Sequence, residues 1–390
     1  MARRSANFAL ALEATRKVAT EAAGPNAAAV DRDARFPVEA IDALKRARLL
    51  SAGVPVELGG LGLSLGEQAE LCCVLGQACA ATAMITAMHF IQIGCIARHR
   101  GDSAWFTGYL RECVERQLLI ASITSEVGVG GDARTSVAGV RVEGGAFALT
   151  KQATTISYGA HADDWFATCR RSPDAPGNDQ VLVMLRRGST TLSPTTTWNT
   201  LGMRGTCSPG FSVHATGDAA QILPDYGTVS AKTMVPYSHV LWGGTWLGIA
   251  TDAVHRARAY LRGEARKAPG KAPPQGLRVS ELATQLAVMR ALVHDVARDV
   301  EEVYETPGAD EALATIAWAL RLNQLKIAAS QAVFDITVKS LQTIGIMAYK
   351  QDSPASLGRH LRDALSASLM VGNDRLHATN AAFLCVFKDD

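Results

Sequence analysis

Leu201-Gly-Met-Arg-Gly-Thr-Cys-Ser208 lies near the end of a stretch, residues 119–227, in which the texture of the chain changes. Thr, Ser, Gly and Val dominate there. Short runs such as residues 140–142, 147–150 and 181–185 alternate apolar and polar side chains between Asp/Gly/Pro clusters, which predicts strands joined by turns. Arg171-Ser-Pro-Asp-Ala-Pro-Gly-Asn178 reads as a solvated turn between two of them. On either side the periodicity is helical. Residues 1–118 place apolar side chains three and four apart, as in Ile41, Leu44 and Ala47, with one break at the glycine-rich Pro55-Val-Glu-Leu-Gly-Gly-Leu-Gly-Leu63. Residues 228–390 carry helical stripes over 246–266, 280–304, 311–345 and 354–387, with the Pro/Gly-rich 268–276 as a loop between the first two. The expected fold is mainly α with a central β domain: an N-terminal helical domain (1–118), a small β-barrel or sheet domain (119–227) and a C-terminal four-helix bundle (228–390).

Composition narrows the function. The chain has 390 residues, 48% apolar and 19% charged, enough apolar surface for a large core. Lys+Arg 39 against Asp+Glu 37 gives no electrostatic footprint for nucleic acid. The longest apolar run, residues 240–250, is about half the ~20 residues of a spanning helix, so no membrane partner is expected. Arg3-Arg4 ahead of residues 6–12 resembles a signal peptide only until Glu13 and Lys17 turn the pattern amphipathic. The eight cysteines form no CxxC pair and no zinc spacing; the expectation is a reducing cytoplasm and no metal.

In this order, the motifs resemble the acyl-CoA dehydrogenase superfamily of flavoproteins over nearly the whole chain. Phe36-Pro37 through Leu63, then Thr82-Ala-Met84 and His89, are similar to the family's first domain. Ser125-Glu-Val-Gly-Val-Gly-Gly-Asp132 is similar to its Thr-Glu-Pro-Gly-x-Gly-Ser-Asp flavin loop, and residues 149–163 to its second flavin strand. Leu201 to Ser208 is the most literal match; Gln342, Gly345, Tyr349, Arg359 and Arg362-Asp363 complete the set. The resemblance implies a homodimer or homotetramer binding FAD through Ser125, Gly130, Gly131, Thr155 and Ser157, with Gln342 and Gly345 serving a neighbouring subunit. Thr155 stands where the family has a tryptophan, Ile346 where it has a second glycine, and the family's Arg-x-x-Phe-Gly string is missing after Leu261. FMN, or reduced flavin from a reductase, is the alternative cofactor.

The resemblance also locates a gap. The family's catalytic Glu aligns with Val371 or with Ser238, neither of them acidic. Removing an α-proton from a thioester needs a base within hydrogen-bond reach. Candidates are His239, beside the second position and titratable near neutrality; Asp374, three residues past Val371 but equally a helix-start residue; and His89, as pocket wall or core histidine. His377 lies one turn beyond Asp374. Three readings follow: an FAD-dependent α,β-desaturase of an acyl thioester on CoA or carrier protein, passing electrons to an electron-transfer flavoprotein; a flavin monooxygenase of the same fold fed by a flavin reductase; and a flavin- or thioester-binding paralogue without turnover. The first leads on motif coverage.

Overall fold

The computed structural model describes residues 5–267, 269–270 and 273–388. Arg3 and Arg4, and Ala268, Lys271 and Ala272 of the expected 268–276 loop, lie outside the described residues. The chain opens with α1 (Phe8–Val18), α2 (Gly24–Arg32), α3 (Val38–Arg46), α4 (Leu65–Ala78), α5 (Ala80–His99) and α6 (Ala104–Arg116). The glycine-rich break ends at Ser64, which starts α4 with a capping box. Its hydroxyl accepts from the Glu67 N–H, and the Glu67 carboxylate accepts from the Ser64 N–H.

Helix α5 corrects the hydropathy reading. Its 20 residues, with a mean hydropathy of 1.5 in the best window, are long and apolar enough to cross a membrane. Polar Thr82, Thr86, His89 and Gln92 interrupt the apolar run, so a search for uninterrupted stretches misses it. Within this protein 89% of that window is buried, which makes α5 a core helix, apolar all round.

Eight strands follow: β1 (Ile120–Ile123), β2 (Arg141–Glu143), β3 (Ala146–Ala153), β4 (Asp164–Arg170), β5 (Gln180–Arg186), β6 (Thr190–Pro194), β7 (Phe211–Asp218) and β8 (Ile222–Leu223). They form two four-stranded sheets, ordered β1-β4-β5-β8 and β2-β3-β7-β6. β3 alternates strictly between exposed and buried residues, as a sheet with one wet face requires. β4 and β5 are buried along almost their whole length, and residues 171–178 join them as an antiparallel pair.

The C-terminal part comprises α7 (Tyr226–Val229), α8 (Val235–Lys267), α9 (Gly276–Glu305), α10 (Ile316–Ile344), α11 (Ile346–Tyr349), α12 (Gly358–Leu365) and α13 (Asn373–Leu384). α8 packs on α4 at backbone contact: a side chain at Gly248 would meet the Cys73 carbonyl oxygen at 2.4 Å. Two expected helices change. α10 starts at Ile316, where Thr315 caps it, because residues 309–314 wind as a 3-10 turn. The stripe over 354–387 is two helices rather than one. Val371 has φ +46° and Gly372 follows with φ −24° and ψ 128°, so the helical path cannot continue.

Candidate active site

A cavity of about 590 Å³ opens where the helical, β and C-terminal parts meet. Its construction begins at the 201–208 motif. A side chain at Gly202 would sit 2.0 Å from the Arg362 carbonyl oxygen, so only glycine lets these two segments touch. Next to it the Met203 N–H donates to Asp363 Oδ1 at 2.7 Å. Burial pushes the Asp363 carboxyl up to about 6, against nearby Arg359, the Met203 bond and Arg362, which lower it. The 201–208 motif and the Arg362-Asp363 pair are thus halves of one joint, and both line the cavity with Met203, Arg362 and Leu365.

The flavin-loop residues converge on the same space. Ser125 Oγ donates to the Thr155 carbonyl at 2.6 Å and accepts from the Thr155 N–H at 3.0 Å, tying the loop to the segment after β3. Thr155 and Ser157 line the cavity. Ser208 Oγ donates to Ser157 Oγ at 3.0 Å, which leaves the Ser157 proton for a ligand. Gly130 and Gly131 stand at φ +58° and +79°, and Arg375 of α13 donates to both of their carbonyls. Behind the loop Glu126, buried, accepts from Ser136 Oγ at 2.6 Å and the Ala138 N–H at 2.6 Å, with Lys151 Nζ at 3.5 Å.

Two indoles complete the walls. Trp198 donates its Nε1–H to the Met203 carbonyl, whereas Trp242 Nε1 is buried without a partner among the described residues. A largely apolar slot with aromatic walls and hydroxyls fits a flat apolar ring with a polar edge, so these residues suit a flavin. Trp198 and Trp242 escaped the sequence reading. They come from a loop and from α8, far from the flavin-like strings, and no local pattern marks them.

The three sequence candidates for proton transfer do not line the cavity. His89 is fully buried; its Nδ1 accepts from the Ile120 N–H at 3.1 Å and its Nε2 lies 2.7 Å from the Leu50 carbonyl, so that nitrogen carries the proton and donates. Both nitrogens hold β1 against the first domain, and burial pulls the imidazole down to about 4. His239 lies behind Trp242, ring centroids 6.1 Å apart, with Nδ1 3.0 Å from the Leu322 carbonyl; burial lowers it to about 4 as well. Asp374 is exposed in the first turn of α13, and His377 is exposed on the same helix. Gln342 is exposed on α10, and Gly345 ends that helix at φ +78°; neither borders the cavity of its own chain. Val371, at the position of the expected base, does line the wall.

Below that wall sits Lys326, which the sequence reading did not single out. It is fully buried and pairs with no carboxylate among the described residues. Its Nζ donates to Asn373 Oδ1 at 2.7 Å and lies 3.4 Å from the Val371 carbonyl and 6.0 Å from the Trp246 ring. Burial pulls the amine down to about 8.

The joint, the hydroxyl-lined slot and the helical bundle define an oxidoreductase of the flavin-dependent class. Residues 9–117 match the acyl-CoA dehydrogenase N-terminal domain and residues 225–382 the acyl-CoA dehydrogenase C-terminal domain. The chain belongs to the acyl-CoA dehydrogenase superfamily, in which FAD is the cofactor. It is 25% identical to cyclohex-1-ene-1-carbonyl-CoA dehydrogenase of Syntrophus aciditrophicus, over 94% of this chain and 87% of that protein. It is 27% identical to the human mitochondrial short-chain specific acyl-CoA dehydrogenase, over 94% and 86%. Among solved structures it superposes on dibenzothiophene monooxygenase TdsC from Paenibacillus sp. A11-2 with a TM-score of 0.80 at 21% identity, covering 96% of this chain and 97% of that one.

Proposed function

We propose that this flavin oxidoreductase is an oxygenase that works with reduced flavin and dioxygen on an apolar substrate, rather than a thioester desaturase. The carrying observation is the chemistry of the cavity wall. Its polar groups among the described residues are hydroxyls, an indole N–H and the Arg362 guanidinium, none of them a base at neutral pH. A desaturase must take a proton from carbon at this wall, and Val371 stands where the carboxylate would be needed. Oxygenation makes no such demand on the chain.

Bound reduced flavin supplies two electrons to dioxygen, so that one oxygen atom enters the substrate and the other leaves as water. The chain contributes binding and orientation. Met84, Met88, Leu369 and Met370 give an apolar bed for the substrate, and Ser157 Oγ offers a proton for a hydrogen bond. Trp198 and Trp242 supply aromatic surface at a site where Thr155 cannot stack.

The second reading, thioester desaturation, draws on the relatives that cover 94% of this chain and are named as acyl-CoA dehydrogenases. One pair of assays separates the two. Protein loaded with FAD or FMN is titrated without oxygen with acyl-CoA thioesters, and is separately given a flavin reductase, NADH and labelled dioxygen with a panel of apolar aromatics. The proposal expects no loss of the yellow flavin band in the first assay and one labelled oxygen atom in a product of the second. Bleaching by a thioester would replace it with the desaturase reading, and failure of both assays in flavin-loaded protein would leave the binding paralogue.

A further inference from the structure

A second cavity, about 630 Å³, lies on the other side of the Gly202–Arg362 joint, between α2, α8 and the segment leading into α12. Arg362 borders both cavities. The charges around the second one do not cancel. Arg362 is held by both carboxylate oxygens of Asp31, and Arg256 by Asp252 at 2.7 Å. Among the described residues, Arg204 has no carboxylate partner, and Arg359 makes no ion pair beyond its proximity to the buried Asp363, whose charge burial disfavours. Arg204 donates to the carbonyls of Asp31 and Thr200, at 2.7 and 3.0 Å, and Arg359 to that of Ala78 at 3.2 Å. Both are half-buried, where an uncompensated guanidinium favours an anion more strongly than it would in open water.

His360, 3% exposed, borders the cavity and donates its Nε2–H to Asp252 Oδ2 at 2.7 Å, fixing the carboxylate that holds Arg256. The lining brings together the guanidinium groups of Arg32, Arg204, Arg256, Arg359 and Arg362, with Asp31 as the acidic residue among them. A cavity of small-ligand size with that excess of planar cations suits a multiply charged oxyanion.

We infer that this cavity binds a diphosphate-bearing ligand, with Arg204 and Arg359 as its charge partners. The inference does not depend on the reaction proposed above. It is tested with inorganic pyrophosphate by isothermal titration calorimetry on the flavin-loaded full chain, at fixed ionic strength. Saturable binding at one site per chain is expected. Arg359→Gln, which gives up only one carbonyl contact, should weaken it about tenfold or more, with Arg359→Lys recovering part of the loss. Arg204→Gln should weaken it similarly, and circular dichroism of each variant verifies folding. ADP and CoA titrations identify the source: equal affinities assign the site to a free nucleotide, and tighter CoA binding to the nucleotide end of a thioester carrier. No pyrophosphate binding at millimolar concentration, or binding unchanged in folded Arg359→Gln and Arg204→Gln, overturns the inference. The former result is also what a cavity filled by an acidic side chain of a second copy would give.

Discussion

Lys326 Nζ lies 2.7 Å from Asn373 Oδ1, and Asn373 Nδ2 in turn donates to Ser330 Oγ at 3.0 Å, so a buried cation holds the start of α13 through an amide rather than a carboxylate. An amine pulled down to about 8 from an ordinary value near 10.5 binds its proton less tightly folded than unfolded. Stability therefore rises with pH between about 8 and 10.5, where the unfolded chain holds more protons. Lys326→Met removes that dependence, so urea unfolding should find the wild type gaining about 2–3 kcal/mol on the variant from pH 7.5 to 10.5. A constant gap across that range would show that the lysine holds its proton as tightly in the folded chain as in the unfolded one.

Asn373→Ala takes away the partner and leaves the charge. We expect a loss on the order of 2–4 kcal/mol, because a buried cation without its hydrogen bond costs more than the bond itself contributes. Adding Lys326→Met to Asn373→Ala should restore much of it. Denaturant midpoints for the four-member cycle measure the coupling, and additive losses would contradict the arrangement.

His89 sets an acid limit. It is neutral in the folded chain and titrates near 4, against about 6.5 unfolded, so its contribution is complete above 6.5 and is lost as pH falls toward 4. His239 acts in the same direction over the same window. In His89→Gln the amide can still accept from the Ile120 N–H and donate to the Leu50 carbonyl, and it does not titrate. That variant should fold and unfold less steeply between pH 6.5 and 4.5. An unchanged slope would mean His89 is not the titrating group.

The glycine loop should respond to Arg375. With both carbonyl bonds lost in Arg375→Ala, the segment around Gly130 and Gly131 is released. Trypsin should then cut after Arg134 faster than in the wild type, and flavin affinity should fall, read by absorbance titration. Ser125→Ala should also weaken flavin binding, by about fivefold, with thermal stability changed by no more than about 0.5 kcal/mol at this partly exposed site.

Val371→Glu puts a carboxylate on the cavity wall at one of the two positions, with Ser238, where the family resemblance places the base. Glutamate is less strained than a β-branched valine at φ +46°, so the turn should tolerate it. The proposed oxygenase predicts that this variant, unlike the wild type, loses its yellow band anaerobically with an acyl-CoA. Bleaching by both proteins would count against the oxygenase reading.

Much of this was legible in the sequence for a physical reason. The flavin-slot residues Ser125, Thr155 and Ser157 lie in strings whose glycines, hydroxyls and turns serve backbone geometry, and backbone geometry leaves a local signature. The 201–208 motif was legible because Gly202 has no room for a side chain. The roles of His89 and His239 were not legible. Each is decided by backbone groups, Leu50 and Ile120 or Leu322, that only the tertiary fold brings near. Lys326 and Trp242 escaped for the same reason, since a lysine inside a helical stripe normally reads as its wet face. The break before α13 was visible as Gly372-Asn373-Asp374, yet the apolar stripe ran across it and suggested one continuous helix.

The wall formed by Leu369, Met370 and Val371 is fastened from below through the Val371 carbonyl, the Asn373 side chain and the packing of Met370 on the core, not through the side chains of Leu369 and Val371. Leu369 is 77% exposed and Val371 45%. Shape and identity are therefore separable here. A randomised library at residues 369 and 371 would sample new substrate ranges while leaving the scaffold's melting behaviour nearly constant, which makes this short turn the natural starting point for drift, or for laboratory selection, toward different substrates.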